Sequence, residues 1–195
     1  MFNIYGKIDT SIDLDELCLC SIDPGKTNFA IRIECRNKDG EIKVLLYDLI
    51  ALGQNYFETL TDFFNKNIEL LEKCSIFIME QQLTKNLIVY RIAQHVISFF
   101  IIKLNNGKRI FYEIDARLKE RIGYKNEKST TKKKNDQKLI KTWSIDKAYE
   151  LCKKRNDEFS INILNKSKKK DDLADVICQL QAFCEFIDVF SIFKK

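Results

Sequence analysis

Proline and glycine are scarce in this sequence, with one proline and six glycines among 195 residues. This scarcity excludes collagen-like and low-complexity chains. Long apolar runs are also missing: the longest, residues 96–102, is interrupted by Ser98 and is far shorter than the roughly 20 residues of a membrane-spanning helix. The acidic N-terminus has no apolar signal-peptide core. We therefore expect a cytoplasmic protein with no membrane partner.

Histidine occurs once, and no two cysteines have the CxxC spacing. These absences exclude the common four-ligand zinc sites. The seven cysteines are odd in number and lie mostly in apolar stretches. The sequence therefore predicts reduced thiols in or near the core of a cytosolic protein.

Hydrophobic residues make up 45% of the chain, enough for one core, and we predict a single domain over residues 1–195. Turn residues at Asp23-Pro24-Gly25 and at residues 37–40 separate three apolar segments, which predicts an antiparallel meander. Two later strands alternate with helices. The sequence thus predicts an α/β fold with a mixed five-stranded sheet and helices on both faces. The predicted strands are residues 17–22, 29–35, 41–49, 75–79 and 109–114, and the predicted helices are 56–72, 87–104, 138–154 and 172–190.

Positive charge is concentrated in one part of the chain. Residues 117–141 contain ten basic and three acidic side chains, whereas the whole chain has 33 basic and 28 acidic residues. Such segregation is typical of proteins that bind a phosphate backbone; a solvated, mobile loop is the alternative. We predict a mobile lysine-rich segment around residues 123–136, with DNA contacts at Lys125, Lys128, Lys132, Lys133 and Lys134.

Four carboxylates occupy positions that suit a catalytic site that binds metal ions. Asp23 and Glu80 end two predicted strands, and Asp172 and Asp175 lie three residues apart, on one face of the last helix. Clustered carboxylates repel one another unless cations lie between them, and Mg²⁺ prefers oxygen ligands. A pair of ions about 4 Å apart could support phosphodiester cleavage. The alternatives are a helix N-cap for Asp172 and a turn residue for Asp23.

Three segments carry a resemblance to a known family: IDPGKTNFA at residues 22–30, IMEQQ at 78–82 and KKDDLAD at 169–175. They resemble the signature blocks of RuvC-type Holliday junction resolvases, above all the poxvirus branch and its relatives in other large cytoplasmic DNA viruses. The resemblance covers about residues 17–190. It implies an RNase H-like fold and a homodimer that cuts four-way DNA junctions symmetrically during DNA recombination, with Mg²⁺ or Mn²⁺, at a viral replication site.

The same resemblance implies roles for particular residues. Asp23, Glu80, Asp172 and Asp175 match the family's metal-binding and catalytic acids, with Asp171 as an alternative to Asp172. Lys119 matches the family's active-site lysine, and Lys125 is a second candidate for that role.

A symmetric dimer would place two sites on the two equivalent strands of a junction. The apolar helix over residues 87–104 is the predicted interface, with Val96, Phe99, Phe100 and Lys103 as contacts, and burial within the monomer is the alternative. Three other functions stay open. They are a different magnesium nuclease of this fold, acting on flaps or RNA–DNA hybrids; a non-catalytic nucleic-acid-binding protein; and a sugar-kinase or actin-like ATPase, for whose two duplicated halves the chain is too short.

Overall fold

The computed structural model describes residues 3–7, 16–107, 109–124 and 133–187, apart from the side chains of Lys7 and of residues 133–137. These residues form one sheet of six strands in the order β1-β6-β5-β2-β3-β4. The strands are β1 (Asn3–Lys7), β2 (Glu16–Asp23), β3 (Phe29–Asn37), β4 (Ile42–Ile50), β5 (Ile76–Glu80) and β6 (Arg109–Ile114).

The predicted meander is confirmed, because β2, β3 and β4 pair in antiparallel fashion. β5 lies between β2 and β6 and is parallel to both. The sixth strand is a correction, since β1 pairs antiparallel with β6. Its sequence, NIYGK, has no run of alternating apolar residues, and its Ile4 is exposed. An edge strand of this kind is defined by its partner rather than by its own pattern.

Helices cover both faces of the sheet, as predicted. The segment 56–72 forms two helices that meet at Asn67 rather than one. α5 was not predicted; it begins after Asp157, whose side chain accepts a hydrogen bond from the Ser160 amide at 3.0 Å. The helices are α1 (Tyr56–Lys66), α2 (Ile68–Lys73), α3 (Leu87–Phe99), a π-helical segment (Phe100–Leu104), a 3-10 helix (Ala116–Ile122), α4 (Lys133–Lys154), α5 (Glu158–Lys166) and α6 (Lys170–Ile187).

The stretch Leu87–Leu104 is long and apolar enough, by length and composition, to cross a membrane. In this fold it packs its inner side against the sheet. Val96, Phe99 and Phe100 are buried in that core, which confirms the alternative of burial within the monomer and excludes them as dimer contacts. Lys103 is exposed. The apolar side chains of this stretch that remain exposed are Leu87, Ile88, Ile101 and Ile102.

Two cysteines depart from the predicted reduced state. Cys18 and Cys35 lie directly opposite each other in the β2–β3 register and form a disulfide. The prediction of seven reduced thiols is therefore wrong for this pair, because composition says nothing about which residues antiparallel pairing brings together. The other five cysteines are free.

A buried ionic cluster joins β3 to α5. Arg32 and Glu34 are fully buried on β3 and form an ion pair at 2.6 Å. Arg32 also contacts Asp157 at 2.9 Å and donates a hydrogen bond to the Ser160 hydroxyl at 2.7 Å. Arg36 approaches Glu34 at 2.6 Å from the other side. Buried charges are tolerated when they are paired and hydrogen-bonded in this way.

Candidate active site

Asp23 and Glu80 lie side by side at one edge of the sheet. β2 and β5 are parallel, and their register places Ile22 opposite Met79. The next residue of each strand is therefore an acid, and both carboxylates emerge at the carboxyl ends of neighbouring strands. This is the arrangement that the strand pattern predicted.

α6 brings the second pair of acids to the same edge. The Tyr47 hydroxyl on β4 donates a hydrogen bond to the Leu173 carbonyl at 2.9 Å, which fixes the first turn of the helix. Asp172 shares a cleft with Asp23 beside the β2–β3 turn. Asp175, one turn further on, points toward Glu80, since both acids contact the same ammonium group.

That ammonium group belongs to Lys119, on the 3-10 helix that follows β6. Its Nζ lies 2.5 Å from Asp175 Oδ2 and 3.8 Å from Glu80 Oε2. Its side chain is only 12% exposed. Lys119 therefore places a positive charge inside the acidic cluster. Lys125, the second candidate for the active-site lysine, lies outside the described residues.

Asp171 and Asp172 have different surroundings although they are adjacent. Asp171 forms an ion pair with Lys141 of α4 at 2.6 Å. Asp172 faces the cleft, and its buried Oδ2 accepts no hydrogen bond within the described part of the chain. The geometry thus turns Asp172, rather than Asp171, toward Asp23.

The pKa values of Asp23, Glu80 and Asp172 are all raised, with burial as the largest cause. Burial raises the pKa of Asp23 well above its usual range, and the charges of Glu80 and Asp175 add to this effect. Burial also raises the pKa of Glu80, although Lys119 opposes the shift. The pKa of Asp172 is raised by burial and then by Asp171. For Lys119, burial would lower the pKa, but Asp175 and Glu80 outweigh it and raise the pKa.

These observations fit a divalent cation. The cluster offers only carboxylate oxygens, which are hard ligands of the kind that Mg²⁺ takes. The buried Asp172 Oδ2 lacks a donor among the described residues, and the raised pKa values of Asp23 and Glu80 indicate carboxylates without sufficient compensating charge.

The tightest group of potential ligands lies elsewhere. Among the residues that the structure describes, the one set of three with ligand atoms within 4.8 Å of one another is Glu16, Cys18 and Cys35. Because those two cysteines form a disulfide, their sulfurs are not thiolates and do not provide a metal site. The four acids of the candidate site are spaced more widely than these three residues. Lys119 lies between two of them, Glu80 and Asp175.

One buried side chain that contacts the acids was not predicted from the sequence. Ser144 of α4 is fully buried, and its Oγ donates a hydrogen bond to Asp175 Oδ1 at 2.5 Å. A signal for it exists: Ser144 lies four residues after Ile140 and four before Ala148, in the apolar stripe of the predicted helix. A hydroxyl at a core position requires a partner.

The structure describes only two of the five lysines predicted to bind DNA, and those two only in their backbone. Lys125, Lys128 and Lys132 lie outside the described residues, as does most of the predicted mobile segment. Lys133 and Lys134 begin α4, but their side chains are not described. The Lys141–Asp171 ion pair nevertheless shows that the N-terminal half of α4 lies beside the acidic cluster.

Comparison with solved structures identifies several proteins of similar fold. Fowlpox virus resolvase, in a complex with Holliday junction DNA, matches with a TM-score of 0.59 over 88% of this chain and 99% of the resolvase, at 20% identity. The yeast mitochondrial Holliday junction resolvase Ydc2 matches with a TM-score of 0.64 over 90% and 82%, at 13% identity. The chain has a RuvC-type resolvase fold. The predicted RNase H-like architecture is therefore confirmed, with six strands instead of five.

One further solved structure and one protein sequence are also similar to this chain. Thermus thermophilus RuvC, bound to a Holliday junction substrate, matches with a TM-score of 0.52 at 12% identity, over 89% of this chain and 96% of RuvC. In sequence, the chain is 26% identical over 222 residues to uncharacterized protein 170L of Invertebrate iridescent virus 6, covering 87% of this chain and 89% of that protein. No protein-family model matches the sequence.

Proposed function

We propose that this protein is a metal-dependent endonuclease that cuts four-way DNA junctions symmetrically and so resolves recombination and replication intermediates. The observation that carries the proposal is the meeting of Asp23, Glu80, Asp172 and Asp175 at one edge of a RuvC-type sheet. The junction-bound fowlpox virus and T. thermophilus proteins support branched DNA as the substrate.

The four acids are the proposed ligands for Mg²⁺, with Mn²⁺ as a substitute. A bound pair of such ions would supply activation of water and neutralisation of the leaving oxygen. Asp171 would stay at the rim of the site because Lys141 already pairs with it. The protein's part is to hold the carboxylate oxygens in place before the substrate arrives.

Lys119 has a separate role in this proposal. Its ammonium, nearly buried between Glu80 and Asp175, keeps the two carboxylates together and lowers the negative charge that a phosphate must approach. A preorganised cation of this kind stabilises negative charge that develops during phosphodiester cleavage.

We further propose that the active unit is a homodimer acting in the cytoplasm of a virus-infected cell, consistent with the viral origin of its sequence relative. Because Val96, Phe99 and Phe100 are buried, the exposed Ile101 and Ile102 at the end of the same helical stretch are the better candidates for an interface. Sedimentation of the protein alone and on junction DNA tests this state. A monomer under both conditions would contradict it.

A cleavage assay tests the function. Purified protein is mixed with Mg²⁺ and with four-way junctions, flaps and RNA–DNA hybrids, each labelled on every strand. We expect paired nicks that are symmetric across the junction and slower cutting of the other substrates. Preferred cutting of flaps or hybrids would assign a different nuclease of this fold, and binding without cutting would indicate a non-catalytic protein.

A further inference from the structure

A cleft runs from the acidic cluster along the turn between β2 and β3. It has a volume of about 310 Å³, and Asp23, Asp172 and Lys26 are among the residues that line it. The turn is tightly closed: a Cβ at Gly25 would lie 2.5 Å from the Asn28 carbonyl oxygen. The backbone of the turn is thereby held in one shape, with Thr27 exposed at its tip.

Lys26 links this cleft to α1. Its carbonyl accepts a hydrogen bond from the Leu52 amide at 3.0 Å, which anchors the turn to the segment before α1. Its ammonium lies over the ring of Tyr56, 5.8 Å from the ring centroid. An aromatic face attracts a cation at this distance and limits where the lysine side chain points.

The contacts continue from Tyr56 to α3. The rings of Tyr56 and Phe57 meet edge to face, with centroids 4.5 Å apart. The guanidinium of Arg91 lies over Phe57 at 5.2 Å. Arg91, both rings and Glu58 line a second cleft of about 330 Å³. A line of direct contacts therefore runs from Lys26 through Tyr56 and Phe57 to Arg91.

Lys26 and Arg91 differ from Lys119 and Lys141, which form ion pairs with acids at the site. Lys119 and Lys141 each pair with an acid of the cluster, whereas neither Lys26 nor Arg91 forms a salt bridge with any described carboxylate. Cations held over rings keep their charge available to an anion. Two of them in a row beside a nuclease-like cluster suit the phosphates of a nucleic-acid strand.

We propose that Lys26 and Arg91, positioned by Tyr56 and Phe57, bind phosphates of the DNA strand that continues from the acidic cluster toward α1 and α3. This inference rests on the proposed function, because it takes DNA as the ligand. Four acids repel a polyanion, so a strand needs cations on both sides of the cluster. The basic half of α4 serves one side, and the surface formed by Lys26, Tyr56, Phe57 and Arg91 serves the other.

Salt-dependent binding tests the proposal. Binding of a labelled four-way junction is measured in Ca²⁺ over a range of KCl concentrations for wild type, Lys26→Ala and Arg91→Ala. Each substitution should weaken binding several-fold and flatten the slope of log K against log salt, by roughly 0.9 for a duplex phosphate or roughly 0.7 for a single-stranded one. Lys73→Ala is the matched control, since this exposed lysine ends α2 near the start of β5, at the opposite edge of the sheet.

Two more variants separate charge from positioning. Phe57→Leu keeps both cations, so it should weaken binding while leaving the salt slope unchanged. Glu58→Gln removes the acid that lines the second cleft and should tighten binding. Unchanged thermal unfolding midpoints would show that the variants fold.

The outcomes distinguish this inference from the proposed function. Suppose that Lys26→Ala and Arg91→Ala show the same salt slope as Lys73→Ala while wild type cuts junctions. The proposed phosphate-binding surface is then wrong, and the proposed nuclease function stands. If both variants flatten the slope but wild type cuts no junction, the surface stands and the nuclease function is wrong. Failure of wild type to bind any DNA would overturn both.

Discussion

Ser144 and Lys119 each donate a hydrogen bond to a different carboxylate oxygen of Asp175. Ser144 Oγ donates to Oδ1 and Lys119 Nζ to Oδ2, each at 2.5 Å. The orientation of this carboxylate is therefore set by α4 and by the 3-10 helix as well as by its own helix. Residues that orient a metal ligand in this way contribute to metal affinity and activity, and their loss typically costs roughly 10- to 100-fold.

Ser144→Ala should lower junction cleavage by about 10- to 100-fold, the usual cost of losing such a contact. The loss should shrink as the Mg²⁺ concentration rises, because weaker metal affinity is its cause. Ser21→Ala is the control: Ser21 is also buried, but its hydroxyl has no hydrogen-bond partner among the described residues. Equal losses in both variants at every Mg²⁺ concentration would refute a positioning role for Ser144.

Asp23→Asn should abolish cleavage, to below about a hundredth of the wild-type rate, while leaving junction binding intact or tighter. Without metal it should also raise the thermal unfolding midpoint. The pKa of Asp23 is raised in the folded protein, so its charged form destabilises the native state near neutral pH, and the neutral amide removes that effect.

Mg²⁺ should raise the unfolding midpoint of wild type more than that of Asp23→Asn, because a ligand stabilises the state that binds it. Asp146→Asn changes an exposed acid on α4 and should behave as wild type in both measurements. A metal-free midpoint that falls in Asp23→Asn would contradict the electrostatic cost assigned to this carboxylate.

Stability should fall in acid because of Glu34. Burial would raise its pKa, but Arg32, Arg36 and Arg155 outweigh it and lower the pKa to about 2. A depressed folded-state pKa contributes stability that is complete above the unfolded pKa of roughly 4.5 and is lost as the pH falls toward 2. The shift corresponds to about 3 kcal/mol of unfolding free energy.

Urea unfolding between pH 6 and pH 2, in a metal chelator, measures this contribution. Acidification also relieves repulsion among the active-site acids, which has the opposite sign, so wild type is compared with Glu34→Gln. The difference between the two proteins should shrink as the pH falls. If Glu34→Gln does not fold, the wild-type protein alone tests the prediction. An unfolding free energy that increases steadily as the pH is lowered from 4.5 to 2 would contradict it.

DNA binding should depend on the run of three lysines at residues 132–134. Replacing Lys132, Lys133 and Lys134 together with alanine should flatten the salt slope by up to roughly 2.7, if each contacts one duplex phosphate. The measurement is junction binding at several KCl concentrations. An unchanged slope would assign these lysines to a solvated surface.

The sequence was sufficient to predict the position of Asp23 and Glu80, because each follows a short apolar strand and parallel neighbours bring their ends together. It was not sufficient to choose between Asp171 and Asp172. Adjacent helical residues point in directions about 100° apart. Asp171 pairs with Lys141, 30 residues earlier, whereas Asp172 lines the cleft.

Other features depend on partners that are distant in sequence. β1 has no strand pattern of its own and is a strand because β6 pairs with it. The Cys18–Cys35 disulfide follows from the register of two strands, not from cysteine spacing. Ser144 could have been recognised as a buried hydroxyl in need of a partner, but nothing in the sequence identifies Asp175 as that partner.

The acidic cluster is assembled from β2, β5 and α6, whose contributions lie far apart along the chain. Bringing such distant segments together costs loop-closure entropy that each contact must repay. A molecule in which α6 were not docked on the sheet would keep Asp23 and Glu80 together but would lack Asp172 and Asp175 at the site. Incompletely folded molecules would therefore lack the proposed metal ligands, and the proposed nuclease activity would depend on completion of the fold.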